Sequence, residues 1–94
     1  MARDLLSDIS IQRELGRLTG WARRADALTK TYKFPTFVEA IAFVGRVAEL
    51  AERANHHPDI DVRYTKITLS LSTHDAGGVT QKDIDLATAI EAAS

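Results

Sequence analysis

The stretch PTFVEAIAFVGRVAELAERANHHP, residues 35–58, decides the fold. Pro35 cannot extend a preceding strand. Thr36 and Glu39 are spaced as a capping box: the hydroxyl accepts from the third helical amide and the carboxylate reaches back. Phe37, Ala40, Ile41, Val44, Val47, Ala48 and Ala51 then recur at helical spacing. Val38, Phe43, Leu50 and Ala54 widen that stripe well beyond one seam. The spacing predicts a helix over 37–54 with one face covering a sheet. The surplus predicts a second apolar surface, against another copy of the chain. Gly45 costs about 1 kcal/mol relative to alanine in mid-helix, which a close helix–helix approach would explain. Asn55 suits a left-handed helix end. Pro58 then forces His57 into extended backbone. The two histidines therefore stand where helix gives way to strand.

Working outward, Ile11, Leu15 and Leu18 form one stripe of a helix over Asp8 to Leu18. Ser7 or Ser10 would cap its start and Gly20 its stop. Trp21 to Phe34 reads as a hairpin turning at Ala25-Asp26-Ala27. Leu28, Tyr32 and Phe34 share one face of its second arm, and Thr29, Thr31 and Lys33 the other. Lys30 falls on the apolar face, which places this strand near an edge. After Pro58 the apolar positions are Ile60, Val62 and Tyr64, then Ile67, Leu69 and Leu71. That change of phase predicts a turn or bulge between Arg63 and Lys66. Lys66, Thr68, Ser70 and Ser72 form the polar face, and His74 joins it if the strand persists. Gly77-Gly78 reads as a turn. Thr80, with Asp83 three later, caps a last helix whose apolar side carries Ile84, Ala87 and Ile90. The order α-ββ-α-ββ-α predicts an α+β fold, with a four-stranded, mainly antiparallel sheet and helices packed on one face.

The 94 residues make a single domain, 1–94. A chain of this size buries only about 60–65% of its unfolded surface, so self-association is a common remedy. The formal net charge is −1, with no basic run, which argues against direct nucleic-acid binding. Zero cysteines exclude a disulfide framework and thiolate metal sites, and suit a reducing, cytoplasmic setting. The start, Met1-Ala-Arg-Asp-Leu-Leu-Ser-Asp, has no apolar run of signal-peptide length, and nothing approaches a membrane span.

His56, His57 and His74 are all the histidine in the chain. With an unperturbed pKa near 6.5, this side chain both gives and takes protons at neutral pH. Gathered around one bend, the three are candidates for proton transfer. Alternatives remain: a histidine pair at a helix end can simply complement the dipole. A zinc site is disfavoured by the adjacency of His56 and His57 and by the absence of cysteine. Asp83 has capping as its first task. Glu52 either solvates the long helix or hydrogen-bonds a histidine and fixes its tautomer. Tyr64 reads as packing.

Glu52-Arg53-Ala54-Asn55-His56-His57-Pro58, five residues, Tyr64, nine residues, His74, eight residues and Asp83 follow the signature of a known family. On these residues the chain resembles the pterin-4a-carbinolamine dehydratases. Leu71-Ser72-Thr73-His74, Gly77-Gly78-Val79-Thr80 and Gly20-Trp21 agree as well. The resemblance implies dehydration of 4a-hydroxytetrahydropterin to quinonoid dihydropterin, recycling the cofactor of aromatic amino acid hydroxylases. No metal or organic cofactor is implied, since the pterin is the substrate. It also implies that His56, His57 and His74 belong to the pocket, with His57 and His74 flanking the reacting C4a–N5 edge and His56 assisting. Glu52 and Asp83 would support it, and Ser72 and Thr73 would orient the pterin's amide edge. Trp21 either walls the pterin or fills the core. A homodimer or homotetramer would form through the 37–54 helix, sheet edges, or both. The competing reading is a non-catalytic binding or assembly protein, or a transcriptional dimerisation cofactor, on the same fold.

Overall fold

The computed structural model describes residues 4–94; Met1 to Arg3, which belong to the start read above for a signal peptide, lie outside the described residues. Its elements are α1 (Asp8–Leu15), β1 (Ala22–Arg24), β2 (Ala27–Lys33), α2 (Phe37–Ala54), β3 (Asp59–Arg63), β4 (Lys66–Leu71), a 3₁₀ turn (His74–Ala76) and α3 (Gln81–Ala93). The sheet is wholly antiparallel, in the order β1-β2-β4-β3. Both hairpins turn through two residues, Ala25-Asp26 and Tyr64-Thr65. The first residue of each takes a left-handed φ, 52° at Ala25 and 55° at Tyr64. The second turn is the predicted phase change. It lets Ile60 face Leu69 and Val62 face Ile67 on one side of the sheet.

That side is the core. Leu28, Ile67, Leu69 and Leu71 are fully buried beneath Ala40, Phe43, Val47 and Ala51 of α2 and Ile84, Leu86, Ala87 and Ile90 of α3. Phe43 anchors α2 on the sheet, its ring 4.6 Å from Tyr32 and 5.1 Å from Phe34. Thr36 caps α2 through the amide of Glu39. Phe37, Val38 and Ile41 stay exposed on its outer face. A Cβ on Gly45 would meet nothing within 4 Å, so the close helix approach expected there does not occur within the chain. No helix among the described residues is long and apolar enough to cross a membrane.

One expectation is corrected here. α1 ends at Leu15 rather than Leu18, because the Gly16 amide donates the closing bonds, to the Gln12 and Arg13 carbonyls, and the chain then tightens into turns. Gly20, at φ +86°, serves the loop beyond the helix. β2 lies one strand in from the edge, between the three-residue β1 and β4, which is near an edge as expected. Lys30 is tolerated on its apolar face because Nζ donates to Glu91 Oε2 at 2.6 Å and to the Thr19 carbonyl at 2.8 Å. The same carboxylate oxygen accepts from Trp21 Nε1 at 3.1 Å and from the Tyr32 hydroxyl. Burial, then the bond to Glu91 and its charge, push the Tyr32 hydroxyl's pKa well up. Burial opposes the Glu91 charge, but hydrogen bonds from Lys30, Tyr32 and Trp21, with the Lys30 charge, outweigh it and hold this carboxyl below its ordinary range.

A carboxyl with a depressed pKa contributes stability above its unfolded pKa, about 4.3, and loses it as pH falls through the folded value. Glu91→Gln leaves charged and neutral donors poorly matched, at a cost of about 1–3 kcal/mol. Urea unfolding at pH 7 should show that loss, and the gap from the parent protein should narrow as pH drops below 4. Asn55 ends α2 at φ 51°. Asn55→Ala should cost about 1–2 kcal/mol and Asn55→Gly far less, read in the same titration.

Candidate active site

α2 ends in a Schellman turn: the His56 amide donates to the Ala51 carbonyl at 3.1 Å and the Asn55 amide to the Glu52 carbonyl at 3.2 Å. The extended residues that follow alternate in direction. His56 therefore turns inward, its side chain 11% exposed, with Nε2 at 2.6 Å from Asp83 Oδ1. His57 turns outward, 55% exposed, with Nε2 at 2.5 Å from Glu52 Oε2. Glu52 is thus within hydrogen-bond reach of the histidine beyond its own helix.

His74 arrives from the other side of the sheet's end. Strand pairing stops at Leu71, so His74 is not carried on β4 as the alternation suggested; it opens the 3₁₀ turn and is exposed. The Thr73 amide donates to the Gly78 carbonyl at 2.8 Å and the Gly77 amide to the Thr73 carbonyl at 2.9 Å, closing that turn. Gly77 supplies its left-handed φ of 79°.

Asp83 is completely buried at the third position of α3. Its Oδ2 accepts from the Thr80 amide and from Thr73 Oγ1, both at 2.9 Å. Its capping task and its bond to His56 thus use different oxygens. Among the described residues no buried side-chain polar atom lacks a partner.

The three histidines border one shallow hollow of about 380 Å³, together with Ser72 and Thr73. Asn55, Asp75 and Lys82 complete its lining. Asn55 was expected only as a helix end, and Asp75 and Lys82 carried no local signal, although each of the three is adjacent to a residue expected at the site. Glu52 and Asp83 do not line the hollow; they stand behind His57 and His56. Thr73 lines it, but its hydroxyl is committed inward, to Asp83 and to Thr80 Oγ1 at 2.8 Å. Trp21 is absent from it. That ring is buried in the core and bonded to Glu91, about 12 Å along α3 from Asp83 at 1.5 Å per residue. Tyr64 stacks on Phe37 at 6.2 Å, outside the hollow.

The arrangement offers three imidazoles, two of them backed by carboxylates, around a space open to a small flat molecule. A second groove of about 330 Å³ lies beside His56, floored by Leu50, Ala54, Leu86 and Ala89. His56 is the one histidine it reaches. No group of three or more His, Cys, Asp or Glu side chains among the described residues is placed to hold a metal ion.

Comparison with known proteins agrees with this architecture. Residues 4–93 match the family described as pterin 4 alpha carbinolamine dehydratase. A protein of Roseiflexus sp. (strain RS-1) named "Putative pterin-4-alpha-carbinolamine dehydratase" is 62% identical over 86 residues, 92% of each chain. One of the same name from Nocardia farcinica is 52% identical over 91 residues, 97% of this chain and 96% of its own. A crystal structure from Brucella melitensis, titled transcriptional coactivator/pterin dehydratase, superposes with a TM-score of 0.89 at 32% identity, covering 93% of this chain and 95% of that one. A pterin dehydratase-like protein identified as a RuBisCO assembly factor shares the fold, with a TM-score of 0.63 at 20% identity over 77% of this chain and 83% of its own. With residues 4–93 matched and its signature histidines gathered at one hollow, the chain belongs to the pterin 4 alpha carbinolamine dehydratase family.

Proposed function

We propose that this protein eliminates water from a 4a-hydroxytetrahydropterin, giving quinonoid dihydropterin, by histidine acid–base catalysis. The observation that carries the reading is the convergence of His56, His57 and His74 on one hollow although eighteen positions separate the first from the last. Hydroxide is a poor leaving group from C4a, so an acid must protonate it as it departs. The N5 lone pair drives it out, and a base takes the proton left on nitrogen. A flat ring resting between the His56–His57 corner and His74 has proton-transfer groups on more than one side. Nothing in this chemistry calls for a metal or organic cofactor. In that segment the Thr73 hydroxyl, amide and carbonyl are all committed, which leaves Ser72, whose hydroxyl has no protein partner among the described hydrogen bonds, to orient the ring's amide edge. The product re-enters a tetrahydropterin cycle of the kind that serves aromatic amino acid hydroxylases, in the cytoplasm.

A second reading, a binding or assembly role, draws on the exposed apolar face of α2, where Val38 is 76% exposed and Phe37 47%. The Brucella protein's title pairs coactivator with dehydratase. That face suits a homodimer or homotetramer, and such assembly is compatible with turnover.

A direct assay of 4a-hydroxytetrahydropterin dehydration separates the two. Each positioned proton-transfer group typically contributes about 10²–10⁴-fold. His57→Ala should therefore lower turnover at least about 100-fold while circular dichroism and the unfolding midpoint change little. Unchanged turnover in that variant, or none in the parent protein, would exclude the catalytic reading.

A further inference from the structure

The donors around Asp83 can be oriented one by one. Each threonine hydroxyl has a single proton. Thr73 gives its proton to Asp83 Oδ2, so the 2.8 Å contact between Thr73 and Thr80 must use the proton of Thr80. The Thr80 oxygen in turn accepts from the Lys82 amide at 3.2 Å. The Thr80 amide also points at Oδ2. Every link runs toward the carboxylate, and Thr80 and Asp83 are buried, so water does not offer an alternative. Oδ2 is fully used, leaving Oδ1 for His56 Nε2. A carboxylate only accepts, so the ring proton must sit on Nε2.

We propose that Thr73 and Thr80 are positioning residues: by orienting Asp83 they hold His56 with its proton on Nε2 and leave Nδ1 as the nitrogen that exchanges a proton with substrate. Nδ1 has no protein partner among the described hydrogen bonds. The device is specific to His56. His57 has a similar bond to Glu52, but both side chains are more than half exposed and water competes for either end. The catalytic part of this inference rests on the dehydratase reading; the tautomer does not.

Long-range proton–nitrogen NMR correlation on protein carrying ¹⁵N-histidine reads the tautomer without substrate. The parent protein should show His56 protonated on Nε2. An asparagine at 83 has one accepting and one donating end. The Thr80 amide and the Thr73 hydroxyl claim the accepting end, which turns the NH₂ toward His56. Asp83→Asn should therefore move the His56 proton to Nδ1 and lower kcat about 100-fold. Thr73→Val removes one of the two donors that orient residue 83. It should mix the His56 tautomers and reduce kcat with little change in KM, and Thr73→Ser should restore both. The His57 pattern should stay the same in all three. A parent spectrum with the proton on Nδ1, or an Asp83→Asn spectrum like the parent's, overturns the proposal. If Asp83→Asn does not fold, an unmixed Thr73→Val spectrum does so. Spectra as expected from a protein that dehydrates no pterin would sink the dehydratase reading and leave the tautomer assignment standing.

Discussion

A carboxylate taken fully out of water is tolerable only if every lone pair is answered, because an unmatched buried charge costs several kcal/mol. Asp83 meets that demand with groups from three places in the chain: the first turn of α3, the segment after β4 and the corner after α2. Removing any one partner leaves the others facing an unsatisfied charge. The constraint therefore fixes where α3 begins, where the His74 turn sits and which way His56 faces. Packing of Phe43 and its neighbours holds the layers together, but it does not by itself set the relative position of these three segments.

The two bonded histidines differ in how firmly they are held. His56 pairs with a carboxylate that has no contact with solvent, in a site of low effective dielectric where a hydrogen bond is strong. His57 pairs with Glu52 at the surface, where such a contact contributes little and is screened by salt. One ring is thus firmly held and the other only loosely, at the border of the same hollow. His74, on a short 3₁₀ turn, takes its place from the backbone rather than from a side-chain bond.

Much of this was legible in the sequence. Thr36, Asn55 and Thr80 are local signals, and local signals survive folding: each marks the helix end it was expected to mark. The switch of apolar phase between Val62 and Ile67 located a turn for the same reason. What could not be read depended on distant partners. What neutralises Lys30 on an apolar face could not be read, because Glu91, 61 positions away, is invisible to any local pattern. Trp21 offered no clue to which side of the core it would enter. The inward turn of the Thr73 hydroxyl follows from Thr80 and Asp83, whose capping was foreseen without its link to His56. Lys82 and Asp75 came to the hollow through the path of the loop between β4 and α3, and no periodicity describes that path.

The register between β2 and β4 has a kinetic consequence. Its partners, from Lys33 with Lys66 to Leu28 with Leu71, are 33 to 43 positions apart. The β1–β2 and β3–β4 hairpins, by contrast, close through two residues each. Loop-closure entropy is small for the hairpins and must be met in full before the central seam returns any contact energy. Nascent helix and hairpins can therefore form early as independent pieces, and zipping of that middle ladder is the step that sets the refolding rate.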